Sequence, residues 1–416
     1  MASNKDLDLV LLGPTGYTGR LCAEHIVQHL PTDLKWALAG RSYEKVEKVA
    51  NDIKQLNPDR AVPEILTVQI NKEELTPLAQ RTKLILNCVG PYHLYSTPVV
   101  EVCAVNGTHY LDVTGETPWI KSIIDKYHDT AKSNGAIIIP SVGVESAPAD
   151  ILAWSLVKRV REDLSSHTRE ITSCIEEVKS SGASGGTLST ILTIFDTLSI
   201  TDLLSAANPF ALAASTPPKN LPREPLLSSL LGVRSVRDLG TLTTSPSGLA
   251  DITIVHRSST LTPEFYGPRF YFRQFLHVRN TLVAVLFHFG LMLVFSFLLI
   301  PFMRTLARKV VYAPGTGPRK EDGANDRLEY RAIATADQGR DVDHPKRVFG
   351  KLMFSGNAYT FTGLLLAEAA MVILQNEEKV RKVSRAGIVT PAMLGQDFVD
   401  RLEKVGCVVE TKVFDN

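Results

Sequence analysis

The chain has 416 residues, which at roughly 100–200 residues per domain predicts two or three folded units. Its 45 basic and 44 acidic side chains leave a net charge of +1, so no global field attracts a polyanion and we expect no nucleic-acid partner. Charged residues at 21% and apolar residues at 44% argue against a disordered chain and against a membrane protein with many crossings. The five cysteines form no CxxC pair, which argues against a disulfide scaffold or a zinc site.

Short apolar segments alternate with longer amphipathic ones from Leu7 to about Gly143. Strands this uniformly apolar are expected where helices cover both faces of a sheet. Residues 1–150 are therefore predicted to form an α/β, Rossmann-type, doubly wound parallel sheet. The six predicted strands lie at residues 7–12, 34–40, 64–70, 83–89, 109–114 and 136–142, and helices are expected to start near residues 16, 43, 72, 98 and 118.

The pattern changes after residue 150. We predict strands at 170–179 and 251–257 and a helix from Thr187, and the Pro/Ser-rich stretch at 208–247 is typical of a surface loop. Towards the C-terminus we predict strands at 328–335, 347–354 and 407–413, with helices at 360–376 and 391–405. Residues 151–270 are assigned to the first part of a second α/β (α+β) domain, and residues 325–416 to its completion.

A glycine-rich turn at residues 13–19 lies between the first predicted strand and the first predicted helix. Glycines permit a tight turn, and the start of the helix offers N–H groups and a positive dipole end to a pyrophosphate. The spacing GxxGxxG differs from the commonest form, GxGxxG. The alternative is a turn that packs the helix on the sheet without a ligand. The predicted cofactor-binding residues here are Gly13, Thr15, Gly16, Tyr17, Thr18 and Gly19.

The end of the second predicted strand indicates which dinucleotide is bound. NAD enzymes place an acidic residue on the ribose there, about 20 residues after the glycines. This chain instead has Arg41 and Ser42, and no carboxylate to repel a 2′-phosphate. An arginine can bind such a phosphate through two parallel hydrogen bonds. We therefore predict NADP(H), the alternative being that Arg41 is a solvated residue at the end of a strand.

Several further segments, in their order along the chain, carry a family likeness: residues 13–19, 39–42, 87–92, 110–116, 143–150, 184–187, Tyr359 with a long apolar helix, and 387–395. In this order they resemble the saccharopine dehydrogenase-like oxidoreductases, a family that includes the trans-acting enoyl reductases. The resemblance implies an oxidoreductase whose C-terminal part packs back on the earlier domains. One departure lies on the substrate side, where this chain has Val144-Glu145 and the family more often has a Phe-Asp pair.

Candidate site residues follow the fourth and fifth strands, at the sheet edge where such folds form their ligand crevice. Tyr92 could donate a proton, and a buried Glu116 or Asp150 could act as acid or base if desolvation raised its pKa. The alternative for each is a hydrogen bond that stabilises a turn. The residues expected to shape the nicotinamide side of the cofactor pocket are Asn87, Val89, Gly90 and Pro91.

Two competing patterns point to other chemistry. Residues 182–186 fit the GxSxG pattern of a serine hydrolase, with Ser184 as nucleophile, so acyl hydrolysis is kept as a minor alternative. The acid–histidine pairs that follow, Asp251 with His256 and Asp341 with His344, are too close in sequence for hydrolase spacing. His25 and His29 are four residues apart but have no third ligand nearby. We expect them on a solvated helix face and predict no metal site.

Residues 282–300 are almost continuously apolar, interrupted only by His288, Gly290 and Ser296. The run is about long enough to cross a bilayer. Our hypothesis is that residues 282–303 form a monotopic membrane anchor, bent at Pro301, in one leaflet or on a lipid-droplet surface. The alternatives are a spanning helix, a buried core helix and the surface of a homodimer. The N-terminus has no signal-peptide pattern, so we expect the catalytic part to face the cytosol, at the endoplasmic reticulum or a lipid droplet.

A membrane anchor favours an apolar substrate. The resemblance then implies NADPH-dependent reduction of a carbon–carbon double bond in a lipid or carrier-bound acyl chain, which is the function we expect. Two alternatives stay open, a saccharopine dehydrogenase-type C–N oxidoreductase and a membrane-bound NADPH-binding protein without catalysis.

Overall fold

The computed structural model describes residues 5–179, 182, 184–219, 221–222, 224–309, 316–317, 323, 325–339, 342, 344–384 and 386–414. Its first sheet is parallel and has seven strands in the order β13-β6-β5-β4-β1-β2-β3. The strands are β1 Leu7–Leu12, β2 Trp36–Gly40, β3 Glu64–Thr67, β4 Thr82–Asn87, β5 His109–Asp112, β6 Ile137–Ile139 and β13 Gly387–Ile388. The order reverses beside β1, which places a ligand crevice at the carboxyl ends of β1 and β4.

Helices cover both faces of this sheet, as the continuous burial of its strands requires. They are α1 Tyr17–His29, α2 Tyr43–Lys54, α3 Lys72–Arg81, α4 Tyr92–Tyr95, α5 Thr97–Asn106 and α6 Thr117–Ser133. The next helix, α7 Ala147–Leu164, packs against the second sheet instead. The predicted Rossmann-type domain is therefore present.

The second sheet also has seven strands, in the order β14-β12-β11-β7-β10-β9-β8, and only β7 and β10 pair in parallel. Chain on both sides of the apolar run contributes to it. The strands are β7 Thr168–Lys179, β8 Arg234–Val236, β9 Gly240–Thr244, β10 Tyr271–Val278, β11 Arg327–Ala336, β12 Arg347–Ser355 and β14 Val408–Val413.

The remaining helices surround the second sheet or connect it to the first domain. They are α8 Gly185–Thr197, α9 Ile200–Ala206, α10 Leu226–Leu231, α11 Gly248–Leu261, α12 Pro263–Tyr266, α13 Thr281–Leu298, α14 Pro301–Ala307, α15 Ala358–Ser384 and α16 Gly395–Lys404, with a 3₁₀ turn at Pro391–Leu394. The α15 helix crosses α1 so closely that a Cβ on Gly363 would lie 2.8 Å from the backbone nitrogen of Cys22. One hydrophobic core joins the two domains, and it includes residues of β1, α7, β11 and α15.

Two sequence predictions outside the first domain were wrong. Residues 251–257, predicted as a strand, lie within α11. This helix is buried on nearly all sides, so its sequence lacks the polar stripe that distinguishes a helix from a buried strand. Part of the stretch at 208–247, predicted as a loop, forms α10, β8 and β9.

The apolar run forms α13, which lies against the second domain along one narrow side. Thr243 donates a hydrogen bond to the carbonyl of Ala284 (3.0 Å), and Thr244 pairs with His288 Nδ1 (2.8 Å). Only 6% of the helix is buried, and mean hydropathy over it is 2.3. By length and composition α13 and the 26-residue segment at 358–383 are the two described helices that could cross a membrane, but the latter is 72% buried and packs in the core.

Candidate active site

The glycine turn brings three stretches of backbone into close contact where β1 meets α1. Gly13 has φ of +85° and donates a hydrogen bond from its N–H to the Ala39 carbonyl (2.9 Å). A Cβ on Gly19 would lie far inside 3.0 Å of the Gly13 carbonyl oxygen, so only glycine fits there. Gly16 is the N-cap residue of α1, and no side chain of the described residues caps that end of the helix. The helix N-terminus is therefore available to a pyrophosphate.

A cavity of about 330 Å³ adjoins this turn at the end of β2. The described residues that line it include two cations and no carboxylate, so the cavity fits a ribose 2′-phosphate rather than the free diol of NAD. Arg41 also lines the larger neighbouring cavity, which makes the two cavities adjacent. The residues around the smaller one are Thr15, Arg41, Ser42, Lys45 and Val46.

The larger cavity, about 840 Å³, lies at the carboxyl ends of β4, β5 and β6. Gly16, Tyr17 and Thr18 line one end, while the loops at 88–92, 113–116 and 143–145 line the other. The dinucleotide of this fold class extends from the second strand across the switch point, so the second end is where its nicotinamide belongs. Val89, Gly90 and Pro91, which the sequence analysis assigned to the nicotinamide side of the pocket, are in this lining, and the Gly90–Pro91 peptide is cis.

Asn87 is not among the residues that line the cavity; it supports the loop from beneath. Its amide nitrogen donates to Ser96 Oγ (2.8 Å) and to the Tyr110 hydroxyl (3.0 Å), and its amide oxygen accepts from the Val89 N–H (3.0 Å). The side chain is fully buried. Asn87 thus fixes the conformation of the loop rather than touching a ligand.

Tyr92 and Glu116 line the cavity, but both side chains are already engaged. The Tyr92 hydroxyl donates to the Asn87 carbonyl (3.2 Å), and burial raises its pKa well above the ordinary value. Glu116 accepts hydrogen bonds from the backbone N–H groups of Tyr92 (2.8 Å) and His93 (2.7 Å), and its Oε2 lies 2.6 Å from His93 Nδ1. Glu116 therefore holds the loop after β4 against the loop after β5.

Asp150 lies outside the cavity lining, at the start of α7. Its oxygens accept hydrogen bonds from the Ser258 hydroxyl (2.6 Å) and the Ala392 N–H (2.8 Å), and the side chain is fully buried. Burial raises its pKa to about 7. These contacts tie α7 to α11 and the C-terminal segment, so we do not propose Asp150 as a catalytic group.

Three residues of the site were missed by the sequence reasoning. Asp112 accepts hydrogen bonds from the N–H groups of Thr114 (2.9 Å) and Ser141 (3.0 Å), and burial raises its pKa to about 7. The aromatic ring of Tyr359 on α15 packs edge-on against that of Tyr17, with centroids 5.2 Å apart. Glu145 lines the nicotinamide end. All three lie in or beside segments shared with the family, and Val144-Glu145 stood out as a departure from it, but the sequence analysis assigned a role to none of the three.

Helix α8 forms the wall of the larger cavity opposite the first domain. The α8 residues that line the cavity include four whose spacing places them on one face of the helix: Thr187, Thr190, Ile191 and Ile194. Exposed Leu94 and Tyr95 lie across the cavity on the first domain. Ile191 and Ile194 therefore give this wall an apolar part, beside the hydroxyl groups of Thr187, Ser189, Thr190 and Thr193.

The hydrolase alternative loses its support. Ser184 caps α8, because its Oγ accepts the Thr187 N–H (3.3 Å), while its own N–H donates to the Tyr359 hydroxyl (2.6 Å). His256 bonds instead to the Pro209 carbonyl and the Phe272 N–H. Asp341, of the second acid–histidine pair, lies outside the described residues. No histidine within the described ranges contacts Ser184.

The expected solvated position of His25 was wrong. His25 is 8% exposed, and its Nε2 lies 2.8 Å from Oε1 of the buried Glu368 on α15. The sequence could not show this, because the covering helix lies more than 300 residues away along the chain. Among the described residues no cluster of three potential metal ligands is present.

Comparisons with known proteins agree with this geometry. Residues 9–139 match the family model described as the saccharopine dehydrogenase NADP binding domain. A provisionally named trans-acting enoyl reductase of Mycobacterium tuberculosis (strain ATCC 25618 / H37Rv) is 30% identical over 430 residues, which cover 99% of this chain and 98% of that protein. A trans-acting enoyl reductase of Mycobacterium bovis (strain BCG / Pasteur 1173P2) is 28% identical, covering 98% of each chain.

Among solved structures, apo saccharopine dehydrogenase (L-Glu forming) from Saccharomyces cerevisiae superimposes with a TM-score of 0.55. The match covers 98% of this chain and 100% of that one at 8% identity, so it shows a shared fold. The glycine turn, the cationic cavity at Arg41 and the family match identify the cofactor as NADP(H). The chain belongs to the saccharopine dehydrogenase-like oxidoreductases, the family that includes the trans-acting enoyl reductases.

Proposed function

We propose that the protein is a membrane-associated NADPH-dependent enoyl reductase that reduces a carbon–carbon double bond in a lipid or carrier-bound acyl chain. The observation that carries this proposal is the larger cavity, which combines the nicotinamide end of the cofactor site with the apolar side chains of Ile191 and Ile194 on α8 and of Leu94 across from them. Bound NADPH would supply the hydride. The glycine turn and Arg41 would hold the dinucleotide, and the α8 wall would hold an acyl chain beside it and exclude water.

The charges in the cavity disfavour the C–N oxidoreductase alternative. An amino-acid substrate of the saccharopine type carries several carboxylates, which need cationic partners. Among the described residues that line the larger cavity, the one basic side chain is Arg41, at the adenosine end, while Glu116 and Glu145 lie at the nicotinamide end. An uncharged acyl chain avoids this repulsion.

Helix α8 also connects the cavity to the exposed apolar helices. The rings of Phe195 and Phe295 lie 6.3 Å apart, and Arg304 Nε binds Asp196 Oδ1 at 2.6 Å. Arg308 pairs with the same carboxylate. One face of α8 thus lines the cavity while its C-terminal end is fastened to α13 and α14. This arrangement supports an apolar substrate that reaches the cavity from the membrane side.

Two segments distant in sequence contribute to one exposed apolar surface. It comprises α13 and α10, which pack against each other, and on α10 Leu226, Leu227 and Leu230 are 86%, 67% and 65% exposed. Soluble proteins rarely leave so large a contiguous apolar patch in water. Sequence reasoning had included only residues 282–303 in the anchor, because six residues are too few to register as an apolar helix.

The fold favours a monotopic anchor over a single crossing. The strands before and after the run, β10 and β11, both pair with β7. A single crossing would place β10 and β11 on opposite sides of the membrane, which is incompatible with the second sheet. An in-plane helix with one face on protein and the others in acyl chains fits these contacts. We propose that the surface lies in the cytosolic leaflet of the endoplasmic reticulum or on a lipid droplet. A homodimer stays a prediction, to be checked by light scattering in detergent.

The enzymatic proposal is tested by incubating the protein and NADPH with trans-2-enoyl thioesters of increasing chain length. We expect the product to be the saturated thioester, identified by mass spectrometry. The KM should fall as the acyl chain lengthens and contacts more of the α8 wall. Ile191→Asn should weaken this dependence, because it places an amide on that wall. Turnover of imino-dicarboxylates but of no enoyl thioester would support the C–N alternative, and tight NADPH binding without any turnover would support the non-catalytic one.

Membrane association is tested with liposome flotation of the full chain. The triple variant Leu286→Ser, Phe289→Ser and Leu293→Ser removes exposed apolar side chains from α13, and we expect it to stay with the soluble fraction. The matched control replaces three exposed apolar residues of the first domain, Leu56, Val62 and Val105, by serine and should float like the wild type. Equal flotation of both variants would contradict the anchor.

A further inference from the structure

Glu145 presents a carboxyl group to the nicotinamide end of the cavity. It follows β6 in the loop before α7, and although this loop is deep in the fold, Glu145 is exposed because it faces the cavity. A Cβ on Gly115 would lie far inside 3.0 Å of its Oε2, so the carboxyl group rests directly on the Gly115 backbone. Any other residue at position 115 would displace it.

The two acids at this end of the cavity differ in their hydrogen bonds. Glu116 accepts two backbone N–H groups and contacts the His93 ring, whereas no residue within the described ranges donates a hydrogen bond to Glu145. Hydrogen bonds of this kind stabilise the charged form of a carboxyl group. Glu116 is thus held by three contacts, whereas Glu145 lacks the hydrogen bonds that would stabilise its charged form.

The surrounding groups act in the same direction. Although one side of Glu145 is open to the cavity, enclosure by the fold raises the pKa of its carboxyl group, and the neighbouring charge of Glu116 raises it further. The other titratable groups near it are Asp251 on α11 and Tyr330 on β11; burial raises the pKa of each, and ionisation of Glu145 would raise both further. The Tyr330 hydroxyl is engaged with the Val144 carbonyl (3.0 Å) and leaves the Glu145 oxygens free. These surroundings therefore favour the protonated form of Glu145, whose carboxyl group faces the cavity.

We propose that Glu145 is the catalytic acid of the site, which delivers a proton to the substrate carbon next to the thioester or ester carbonyl, with Glu116 as the fixed anion beside it. This inference rests on the proposed enoyl reduction. As the β-carbon accepts the hydride that NADPH supplies, the π electron pair moves to the α-carbon. The O–H bond of Glu145 then breaks and its proton forms the α C–H bond. The carboxylate left behind regains a proton from water that enters the cavity.

The first test reads the proton directly and needs no substrate. Infrared difference spectra between wild type and Glu145→Gln should show the carbonyl band of a protonated carboxyl group, lost in the variant. The band should persist at a pH above about 4.3, where most of an ordinary glutamate is ionised. Glu116→Gln should shift the titration of the Glu145 band to lower pH, because Glu116 no longer repels the ionised form of Glu145. Absence of the band at that pH would overturn the proposal, whatever the enzyme's substrate.

The second test uses turnover on an enoyl thioester. Glu145→Gln should lower kcat by about 10²–10⁴-fold, the usual contribution of a general acid, with the NADPH Kd unchanged. The wild-type kcat should fall as pH rises through the raised pKa, and Glu145→Gln should lose that dependence while Glu145→Asp restores part of it. Exposed Glu264→Gln, on α12, is the control and should match the wild type. A wild-type-like rate and pH profile for Glu145→Gln would refute the proton donor but leave the reductase intact, whereas no turnover by the wild type would refute the reductase itself.

Discussion

Replacing Gly19 by alanine tests whether the close-packed glycine turn is the cofactor site. The added methyl group would lie 3.0 Å from the Gly13 carbonyl carbon, 3.1 Å from Pro14 Cα and far closer to the Gly13 carbonyl oxygen. All three atoms are backbone, so no side-chain rotation relieves the contact. Gly13 is itself fixed by its hydrogen bond to Ala39, so the turn must open.

The expected magnitude follows from these contacts. Overpacking of this kind costs about 1–3 kcal/mol, which lowers the apparent Tm by roughly 2–4 °C for each kcal/mol in a domain of this size. An opened turn also misplaces a hydrogen bond to the pyrophosphate, worth about 1.5–3 kcal/mol, so the NADPH Kd should rise about 10–150-fold. Differential scanning fluorimetry gives the Tm, and isothermal titration calorimetry gives the Kd.

Gly16→Ala is the matched control in the same turn. Its methyl group would lie 3.5 Å from the Gly13 carbonyl oxygen and 3.9 Å from that of Cys88, which is ordinary contact. The free energy of unfolding of the ligand-free variant should therefore lie within about 0.5 kcal/mol of the wild-type value, and its Tm should hardly change. A Gly19→Ala protein with the Tm and the NADPH Kd of the wild type would show that the turn is neither tightly packed nor the cofactor site.

Three further outcomes are expected. Arg41→Ala should raise the Kd of NADPH by about 10–150-fold with little change for NADH, as measured by calorimetry, because only the 2′-phosphate loses a charge-assisted hydrogen bond; an equal loss for both would contradict the assignment. In the wild type, the pKa of Asp150 is about 7 in the folded state and near 3.9 in the unfolded state, so the native state holds an extra proton between about pH 4 and 7. The stabilisation from that proton is lost as the pH rises, which lowers the Tm. Asp150→Asn should therefore make the Tm fall less steeply over this pH range. An unchanged slope would rule this out. Asp196→Asn removes the partner of Arg304, so amide hydrogen exchange should become faster in α14. The free energy of unfolding should change by less than about 1 kcal/mol, because the ion pair is partly exposed. Unaltered exchange would show that the ion pair does not hold the helix in place.

The first domain could be predicted because its signals are local. Apolar strands, the glycine turn and Arg41 lie within short stretches of chain whose conformation follows from their own composition. The structure extended the predicted sheet only by β13, which comes from residues 387–388. A two-residue strand carries no periodic pattern, so sequence alone could not place it.

The second domain and the site chemistry depended on contacts between distant segments. Helix α11 was taken for a strand because burial on all sides removes the amphipathic pattern. Asp150 and Glu145 lie five residues apart in one segment, but partners from α11 and the C-terminus enclose the first, while the second faces the cavity. Only the three-dimensional structure separates a structural acid from a candidate catalytic one.

The most direct test of the proposed function is the fate of the hydride. NADPH carrying deuterium at the transferred position of nicotinamide C4 is incubated with a long-chain trans-2-enoyl thioester, and the product is analysed by mass spectrometry and NMR. We predict a saturated thioester with one deuterium at the β-carbon and, in ordinary water, a protium at the α-carbon. Recovery of the unsaturated thioester without deuterium, from protein that binds NADPH, would contradict enoyl reduction.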